Sequence, residues 1–450
     1  MSKFSRRHLL ASISSAAPFA LLPRLEARTV GTLPPPASSG IEHIVLVMME
    51  NRSFDHFLGW LPNANTKQAN SYPNKSGKMV STYHLTNLQN CNFADPDHSY
   101  NGGRTEYNGG NCNGWLLANT SDTFSIGYYD QTDLAFLGNA ARDWTVCDNY
   151  FAAILSSTYP NRVYQHAGQT DRIGNTVAIS TLPTIWDRLS EAGLEGRYYF
   201  SDVPVLALWG VKYAPITRTF DEFLSDAAGG NLPEVSFIDP RFIDELTGTS
   251  NDDHPHADIK NGEGFLNQVY NAVRTSPQWN KTVLIINFDE WGGFFDHVPP
   301  PTRPIPPVTA AAGDSDGRLG FRVPALVISP WSPRSTVNGT QFDHTSVLNM
   351  IEWRWGLPPL SIRDQTANNL ASVLDFSSTN LSSNSYTAPT GIFGNFCWSG
   401  LLSDLGLAAS SSATLSNTVP AKSAVQADDE DLEWEPIKKM AKQFGFRVAD

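Results

Sequence analysis

The sequence contains little cysteine, no surplus of positive charge and, after its N-terminal segment, no long apolar run. Its four cysteines include no Cys-x-x-Cys spacing, which argues against a zinc site built from thiolates. The absence of a long apolar run excludes a membrane-spanning helix from the main body of the chain. The 45 acidic residues outnumber the 32 basic ones, so generic nucleic-acid binding is not expected. A hydrophobic content of 41% is that of a globular protein.

The N-terminus carries the pattern of an export signal. Arg6 and Arg7 form a twin-arginine pair, and an apolar segment rich in Ala and Ser follows as far as Leu22. Ala27 is a small residue suited to cleavage. We therefore predict a signal peptide read by the twin-arginine export machinery, and a periplasmic or secreted protein. A disordered basic tail is the alternative.

Composition divides the chain into four segments. They are a signal peptide (1–27), a Pro-rich linker (28–40), a catalytic domain (41–407) and a flexible tail with a short terminal helix (408–450). Exported proteins form disulfides, and Cys91 and Cys112 flank a loop rich in Gly and Asn. We predict that these two cysteines pair.

Short apolar strands alternate with helical segments along the main body, which favours an α/β fold. We predict a three-layer α/β/α sandwich around a mostly parallel central sheet, with long loop insertions. The predicted strands are 41–49, 196–200, 235–239, 283–288 and 323–329; the predicted helices are 133–153 with a turn at its end, 184–189, 264–274 and 433–446.

Two of these strands are followed directly by oxygen ligands. Glu50 and Asn51 follow the first strand, while Asp289 and Glu290 follow the strand at 283–288. Ligands of an α/β sheet bind outside the carboxyl ends of its strands. Three carboxylates there repel one another unless a cation neutralises them, so we predict one divalent metal ion. Oxygen ligands favour Ca²⁺, Mg²⁺ or Mn²⁺, and Zn²⁺ becomes an option if a histidine joins. The alternative is a helix cap and an ordinary acidic pair.

The segment 156–162 offers a hydroxyl nucleophile. A cation beside a hydroxyl lowers its pKa and makes it a usable nucleophile at neutral pH. A plain N-cap is the commoner use of such residues. The pattern alone does not choose between Ser156, Ser157 and Thr158.

Five histidines lie in polar loops, four of them within two residues after an Asp: His98, His254, His256, His297 and His344. Such side chains serve as general acids for a leaving alcohol or as donors to phosphate oxygens. We take His297 and His344 as accessory residues. The alternative for each is an ordinary structural histidine, which is how we interpret His166.

Several strings together resemble the bacterial phosphoesterase family that contains the phosphatidylcholine-type phospholipases C and a related acid phosphatase. They are MMENRSFDHFLG, DPDHS, STYPNR, DDHPHADI, FDEWGGFFDHVPPP and FDHTSVL, in the family's order between about 40 and 350. The resemblance implies an alkaline-phosphatase-like fold. The implied metal ligands are Glu50, Asn51, Thr158, Asp289 and Glu290. The implied catalytic residues are Thr158 as nucleophile, and His98, His254 and His256 for phosphate binding or protonation of the leaving group.

We therefore expect an exported, metal-dependent hydrolase of phosphoric esters. The first hypothesis is a phospholipase C type enzyme that cleaves phosphatidylcholine-like diesters through a phospho-threonine intermediate, with transient contact to a membrane surface. An acid phosphatase of the same fold, acting on small phosphate esters, is the alternative. A non-catalytic exported binding protein with a structural metal is a third hypothesis, against which the loop histidines and the hydroxyl segment argue.

Overall fold

The computed structural model describes residues 33–118, 123–243, 247–397 and 430–448. The predicted signal peptide (1–27) lies outside these ranges, and so do residues 408–429 of the predicted tail. Within the described part, every helix is too short or too polar to cross a bilayer.

Fourteen strands and twelve α-helices are described. The strands are β1 (His43–Met49), β2 (Ser71–Pro73), β3 (Met79–Ser81), β4 (Tyr83–His84), β5 (Gly127–Tyr128), β6 (Thr145–Cys147), β7 (Tyr150–Phe151), β8 (Gly196–Phe200), β9 (Thr217–Thr219), β10 (Val235–Asp239), β11 (Thr282–Phe288), β12 (Ala325–Ile328), β13 (Thr336–Asn338) and β14 (Phe342–Asp343). The helices are α1 (Phe54–Leu58), α2 (Tyr100–Tyr107), α3 (Trp115–Ala118), α4 (Leu137–Asp143), α5 (Thr158–Ala167), α6 (Ile185–Glu191), α7 (Phe220–Gly229), α8 (Ile259–Arg274), α9 (Pro307–Ala312), α10 (His344–Trp355), α11 (Ile362–Thr366) and α12 (Glu430–Gln443).

Eight strands form the central sheet, in the order β13-β6-β12-β11-β1-β10-β8-β9. Among them only β12 runs antiparallel to its neighbours. All seven residues of β1 and all seven of β11 are buried, as expected of strands covered on both faces. Helices α5, α6 and α10 pack together, and α7 and α8 form a second group. The predicted three-layer α/β/α sandwich is confirmed.

The predicted helix over 133–153 is only partly present. It is limited to α4, and β6 and β7 follow it. β6 pairs with β12 and β13, which lie far along the chain, and such non-local pairing overrides the local pattern. The predicted strands 196–200 and 235–239 are present with the predicted ends, as β8 and β10, and the other predicted strands and helices are present with shifted ends.

The predicted Cys91–Cys112 disulfide is wrong, because Cys91 pairs with Cys397 and Cys112 is a buried thiol. Loop contacts bring the distant segments together. The side chain of Gln89 exchanges hydrogen bonds with the main chain of Asn395, at 2.7 and 2.9 Å. The partner of Cys91 is therefore set by tertiary contacts and not by proximity in the sequence.

One buried acid makes stability depend on pH. Glu352, in α10, is 5% exposed; burial first, and then its contact with the Asp364 carboxylate, raises the pKa of Glu352 to about 10. From about pH 4.5 upward the unfolded chain releases this proton while the folded protein keeps it, so stability falls with rising pH by up to about 1.4 kcal/mol per pH unit. We expect Glu352→Gln to gain stability over wild type as pH rises. Urea unfolding at pH 5 and pH 8 measures this; an equal difference at both values would contradict it.

Candidate active site

The carboxyl ends of β1 and β11 lie side by side. The two strands are parallel with Met49 opposite Phe288, so Glu50 and Asp289 leave the sheet together. The main-chain N–H of Asn51 donates to Asp289 Oδ1 at 3.2 Å and ties the two ends to each other. The two acidic segments therefore meet at one edge, as the sequence predicts.

Gly292 permits this close approach. A Cβ on Gly292 would lie 2.2 Å from the carbonyl oxygen of Asn51, and the φ of Gly292 is +62°, a value that side chains disfavour. Its N–H donates to Glu290 Oε2 at 2.7 Å. Asn51 itself has a φ of +57°, a strained conformation for a residue with a side chain. The backbone of both segments is thus adapted to bring the strand ends together.

A single guanidinium, that of Arg162 in α5, binds carboxylates from three strand ends. It contacts Glu50 at 3.1 Å, Asp289 at 3.0 Å and Asp239 at 2.7 Å. Burial alone would lower the pKa of Arg162, but the three carboxylates raise it above its ordinary value, so the group stays charged. Arg162 therefore holds the ends of β1, β10 and β11 at one point.

The residues around Arg162 fit a divalent cation. Three buried polar atoms have no hydrogen-bond partner among the described residues. They are Nδ2 and Oδ1 of Asn51 and Oε1 of Glu290. The buried carboxylates are those of Glu50, Asp239, Asp289 and Glu290. Four carboxylates against one guanidinium leave three negative charges in excess when all are ionised. Burial raises the pKa of Glu290 to about 8 and that of Asp239 to about 6, as expected where this charge lacks compensation. Unused oxygens and surplus buried negative charge suit a hard cation.

Thr158 begins α5, one helical turn before Arg162. Residues four apart lie on one helix face, so Thr158 shares the face that carries the guanidinium. The hydroxyl of Ser156 donates to the Ile173 carbonyl at 2.7 Å and is committed there. Ser157 is the N-cap residue, but its side chain accepts no hydrogen bond from the helix. Of the three hydroxyls that the sequence leaves open, Thr158 has the position that best fits a nucleophile.

His98 and His254 come from different loops and flank one carboxylate. Asp95 Oδ2 lies 3.6 Å from His98 Nδ1 and 4.0 Å from His254 Nε2. The charge of His98 also opposes the effect of burial on the pKa of Glu290. Burial, and then the neighbouring cationic groups, hold the pKa of His254 well below its ordinary value, so its imidazole is neutral.

His98 Nδ1 also faces the Pro96 carbonyl at 2.8 Å. The other three predicted histidines likewise use a ring nitrogen on protein groups. Nε2 of His256 faces the Phe93 carbonyl at 3.0 Å, Nε2 of His344 faces the Asp289 carbonyl at 2.7 Å, and Nδ1 of His297 faces Asp55 at 2.5 Å. His344 therefore supports the end of β11 from behind, and burial lowers its pKa to about 4. His166 packs among aromatic rings in the core, as its structural interpretation requires.

Two residues of this site had no predicted role. Asp239 is the last residue of the buried strand β10. It has the same sequence pattern as Glu50 and Asp289, an acidic residue at the end of a buried strand. Arg162 lies four residues after Thr158 in the string STYPNR, a spacing that places both on one face of a helix.

Two further groups of side chains within the described ranges could hold a cation: Asp55, Asp296 and His297, and His84, Asp130 and Asp133. In the first group Arg322 already contacts Asp55 at 3.2 Å and Asp296 at 3.0 Å. The second group is partly exposed at the surface. Neither group contains a residue that the sequence predicts as a metal ligand.

Comparison with known proteins settles the family. Residues 41–358 match the model of the Phosphoesterase family. This chain belongs to that family. It is 32% identical to the non-specific phospholipase C1 of Arabidopsis thaliana over 68% of this chain and 65% of that protein, so it spans about two thirds of the plant relative. It is 31% identical to phospholipase C B of Mycobacterium tuberculosis (strain ATCC 25618 / H37Rv) over 75% of this chain and 78% of that protein.

Membership of the family makes this chain a phosphoric ester hydrolase. Family and acidic groups together indicate a divalent metal ion. Among solved structures, a protein in the alkaline phosphatase superfamily from Vibrio parahaemolyticus is 13% identical, with 71% of this chain and 73% of that chain covered and a TM-score of 0.34. A similarity this low carries no inference about chemistry.

Proposed function

We propose that this phosphoesterase is an exported, metal-dependent enzyme of the phospholipase C type that hydrolyses phosphodiesters through a phospho-threonine intermediate. The observation that carries the proposal is that Arg162, one helical turn from Thr158, binds the buried carboxylates of Glu50, Asp239 and Asp289. The residues next to two of them in the chain, Asn51 and Glu290, keep oxygens without a hydrogen-bond partner among the described residues. The relatives named as phospholipases C support the choice of a diester.

Glu50, Asn51, Asp289 and Glu290 would hold the metal ion together with Thr158. When bound, the ion supplies positive charge that lowers the pKa of the Thr158 hydroxyl and neutralises phosphoryl oxygens. The Thr158 hydroxyl loses its proton to solvent and its oxygen bonds to phosphorus, while the bond to the leaving alkoxide breaks in line with it and the alkoxide takes up a proton. The second ester group stays on phosphorus. Water then attacks that phosphorus, releases the phosphate monoester and restores the Thr158 hydroxyl.

His254 and His98 are the donors for the departing alkoxide. The lowered pKa keeps the His254 imidazole neutral, so its one N–H stabilises the departing oxygen as a hydrogen-bond donor. Asp95 Oδ2 lies within 4.0 Å of a ring nitrogen of each histidine, and the Pro96 carbonyl holds His98 Nδ1 at 2.8 Å. Fixed donors of this kind stabilise the charge that develops in the transition state.

An acid phosphatase is the second candidate function, and one observation favours it. The eight candidate site residues are Glu50, Asn51, His98, Thr158, His254, His256, Asp289 and Glu290, and none of them is more than 3% exposed. A closed site suits a small monoester better than a lipid with two acyl chains, which reaches it only when the covering segments move.

The deciding experiment compares p-nitrophenyl-phosphorylcholine with p-nitrophenyl phosphate, each with and without a chelator. We expect a higher kcat/KM for the choline diester and its loss on chelation, with activity restored by added divalent metal. Preference for the monoester would assign the protein as a phosphatase. Absence of turnover with both esters, in a folded metal-loaded protein, would contradict the proposed function.

The export part of the proposal rests on Arg6 and Arg7, which lie outside the described residues. We expect the protein in the periplasmic or culture fraction of a host with a twin-arginine pathway. Replacement of both arginines by Lys should retain it in the cytoplasmic fraction; unchanged export of that variant would contradict the prediction.

A further inference from the structure

The C-terminal helix α12 packs into the main core beside the candidate active site. Trp434 is 1% exposed, and Ile437 and Ala441 are fully buried in the same core cluster. The helix lies against the 3-10 turn Val205–Trp209, which follows β8. This segment is therefore part of the catalytic domain's packing although it lies far along the chain.

Trp434 contacts the two aromatic rings that flank the site. Its ring stacks on Phe242 with 4.1 Å between centroids and 11° between planes, and lies 5.5 Å from the ring of Tyr159. Tyr159 directly follows the candidate nucleophile Thr158, and Phe242 lies three residues after Asp239. One side chain of α12 thus touches both the start of α5 and the loop that leaves β10.

The same aromatic pair covers the guanidinium of Arg162. Its central carbon is 4.7 Å from the centroid of the Phe242 ring and 6.0 Å from that of Trp434. Aromatic faces attract a guanidinium, and their bulk keeps water away from it. Exclusion of water lowers the local dielectric and strengthens the contacts of Arg162 with its three carboxylates.

We propose that Trp434 is a positioning residue of the active site, which acts through Arg162 and Tyr159 to hold Thr158 and the metal-binding carboxylates in register. This inference rests on the proposed function. The stacked rings fix the guanidinium, and the guanidinium fixes Glu50 and Asp289. Because Arg162 and Thr158 share helix α5, the nucleophile is placed by the same contact.

The test uses the full chain with Trp434→Leu, which keeps an apolar side chain but removes the aromatic face, and Trp434→Phe, which retains a ring. Ile437→Ala is the matched control, since it also removes buried apolar volume from α12 but takes away no aromatic face. Chelator-treated proteins are titrated with Ca²⁺, Mg²⁺, Mn²⁺ and Zn²⁺ by calorimetry, and kcat and KM for p-nitrophenyl-phosphorylcholine are measured well below every Tm.

For Trp434→Leu we expect kcat to fall about 10- to 100-fold with a small change in KM, because misplacement of catalytic groups lowers the rate of the chemical step. We also expect metal binding to weaken about tenfold, as for the loss of groups that orient ligands. Trp434→Phe should restore most of both values. Ile437→Ala should lower Tm but leave kcat and metal affinity near wild type.

Wild-type kcat and metal affinity in Trp434→Leu would overturn the inference, and so would a rise in kcat, which would identify α12 as a cover that holds the site shut. If Trp434→Leu does not fold, Phe242→Leu tests the same contact from its other side. If the wild type hydrolyses neither ester, the proposed function fails, while the metal affinities still decide the role of Trp434. A wild type that binds none of the four metals overturns both.

Discussion

Replacement of Thr158 by Ala is expected to lower kcat by at least about 10⁴-fold, because loss of the nucleophile removes the covalent route altogether. The residue lies at the start of α5 on the face that carries Arg162, and kcat is measured where the variant is fully folded. Steady-state turnover of the choline diester measures the loss. Acid quenching of the wild type during turnover of the choline diester, followed by mass spectrometry, should show one phosphorylcholine group on Thr158 and none in the variant.

The chain provides matched controls for this prediction. Ser156→Ala removes a hydroxyl two residues away that is bonded to the Ile173 carbonyl, so it should cost some stability and leave kcat within about threefold of wild type. Thr158→Ser should retain most of the turnover, since it keeps a hydroxyl at the same position. If Ser157→Ala abolishes turnover while Thr158→Ala does not, the nucleophile is Ser157 and our assignment is wrong.

The sequence predicts those parts of the site that follow from local pattern. Glu50 and Asp289 come directly after apolar runs, and the edge of a parallel sheet is where such residues collect. The same reasoning applied to Asp239 would have completed the carboxylate group. A strand of five buried residues that ends in an acid is a visible signal, but one acid is weak until its neighbours in the sheet are known.

The features that escaped prediction depend on contacts between distant segments. The pairing of Cys91 with Cys397 joins residues 306 positions apart, and no spacing rule selects that partner. β6 is a strand because β12 and β13 flank it, although its neighbourhood looks helical. Trp434 reaches the active site from a segment that composition marks as a tail. Tertiary packing decides each of these, and a single sequence does not display it.

Replacement of Arg162 by Met is the second large effect that we expect. It would leave Glu50, Asp239 and Asp289 buried without their shared counter-charge, and loss of one partner of a buried ion pair costs about 3–5 kcal/mol of stability. The carboxylates would also lose their common anchor, so kcat should fall by about 10²-fold or more in the protein that still folds. Urea unfolding and kcat, measured where each variant is fully folded, separate the two effects.

Arg322→Met is the matched control for Arg162→Met. Arg322 is as buried as Arg162 and also binds carboxylates, those of Asp55 and Asp296, but it belongs to the group of Asp55, Asp296 and His297 and not to the Thr158 site. We expect a similar loss of stability with kcat within about threefold of wild type, since a buried ion pair away from the chemistry affects folding alone. If instead Arg322→Met abolishes turnover and Arg162→Met does not, the metal-binding group is Asp55, Asp296 and His297. The carboxyl ends of β1 and β11 would then have only a structural role, because loss of an arginine lowers kcat only where that arginine holds catalytic groups.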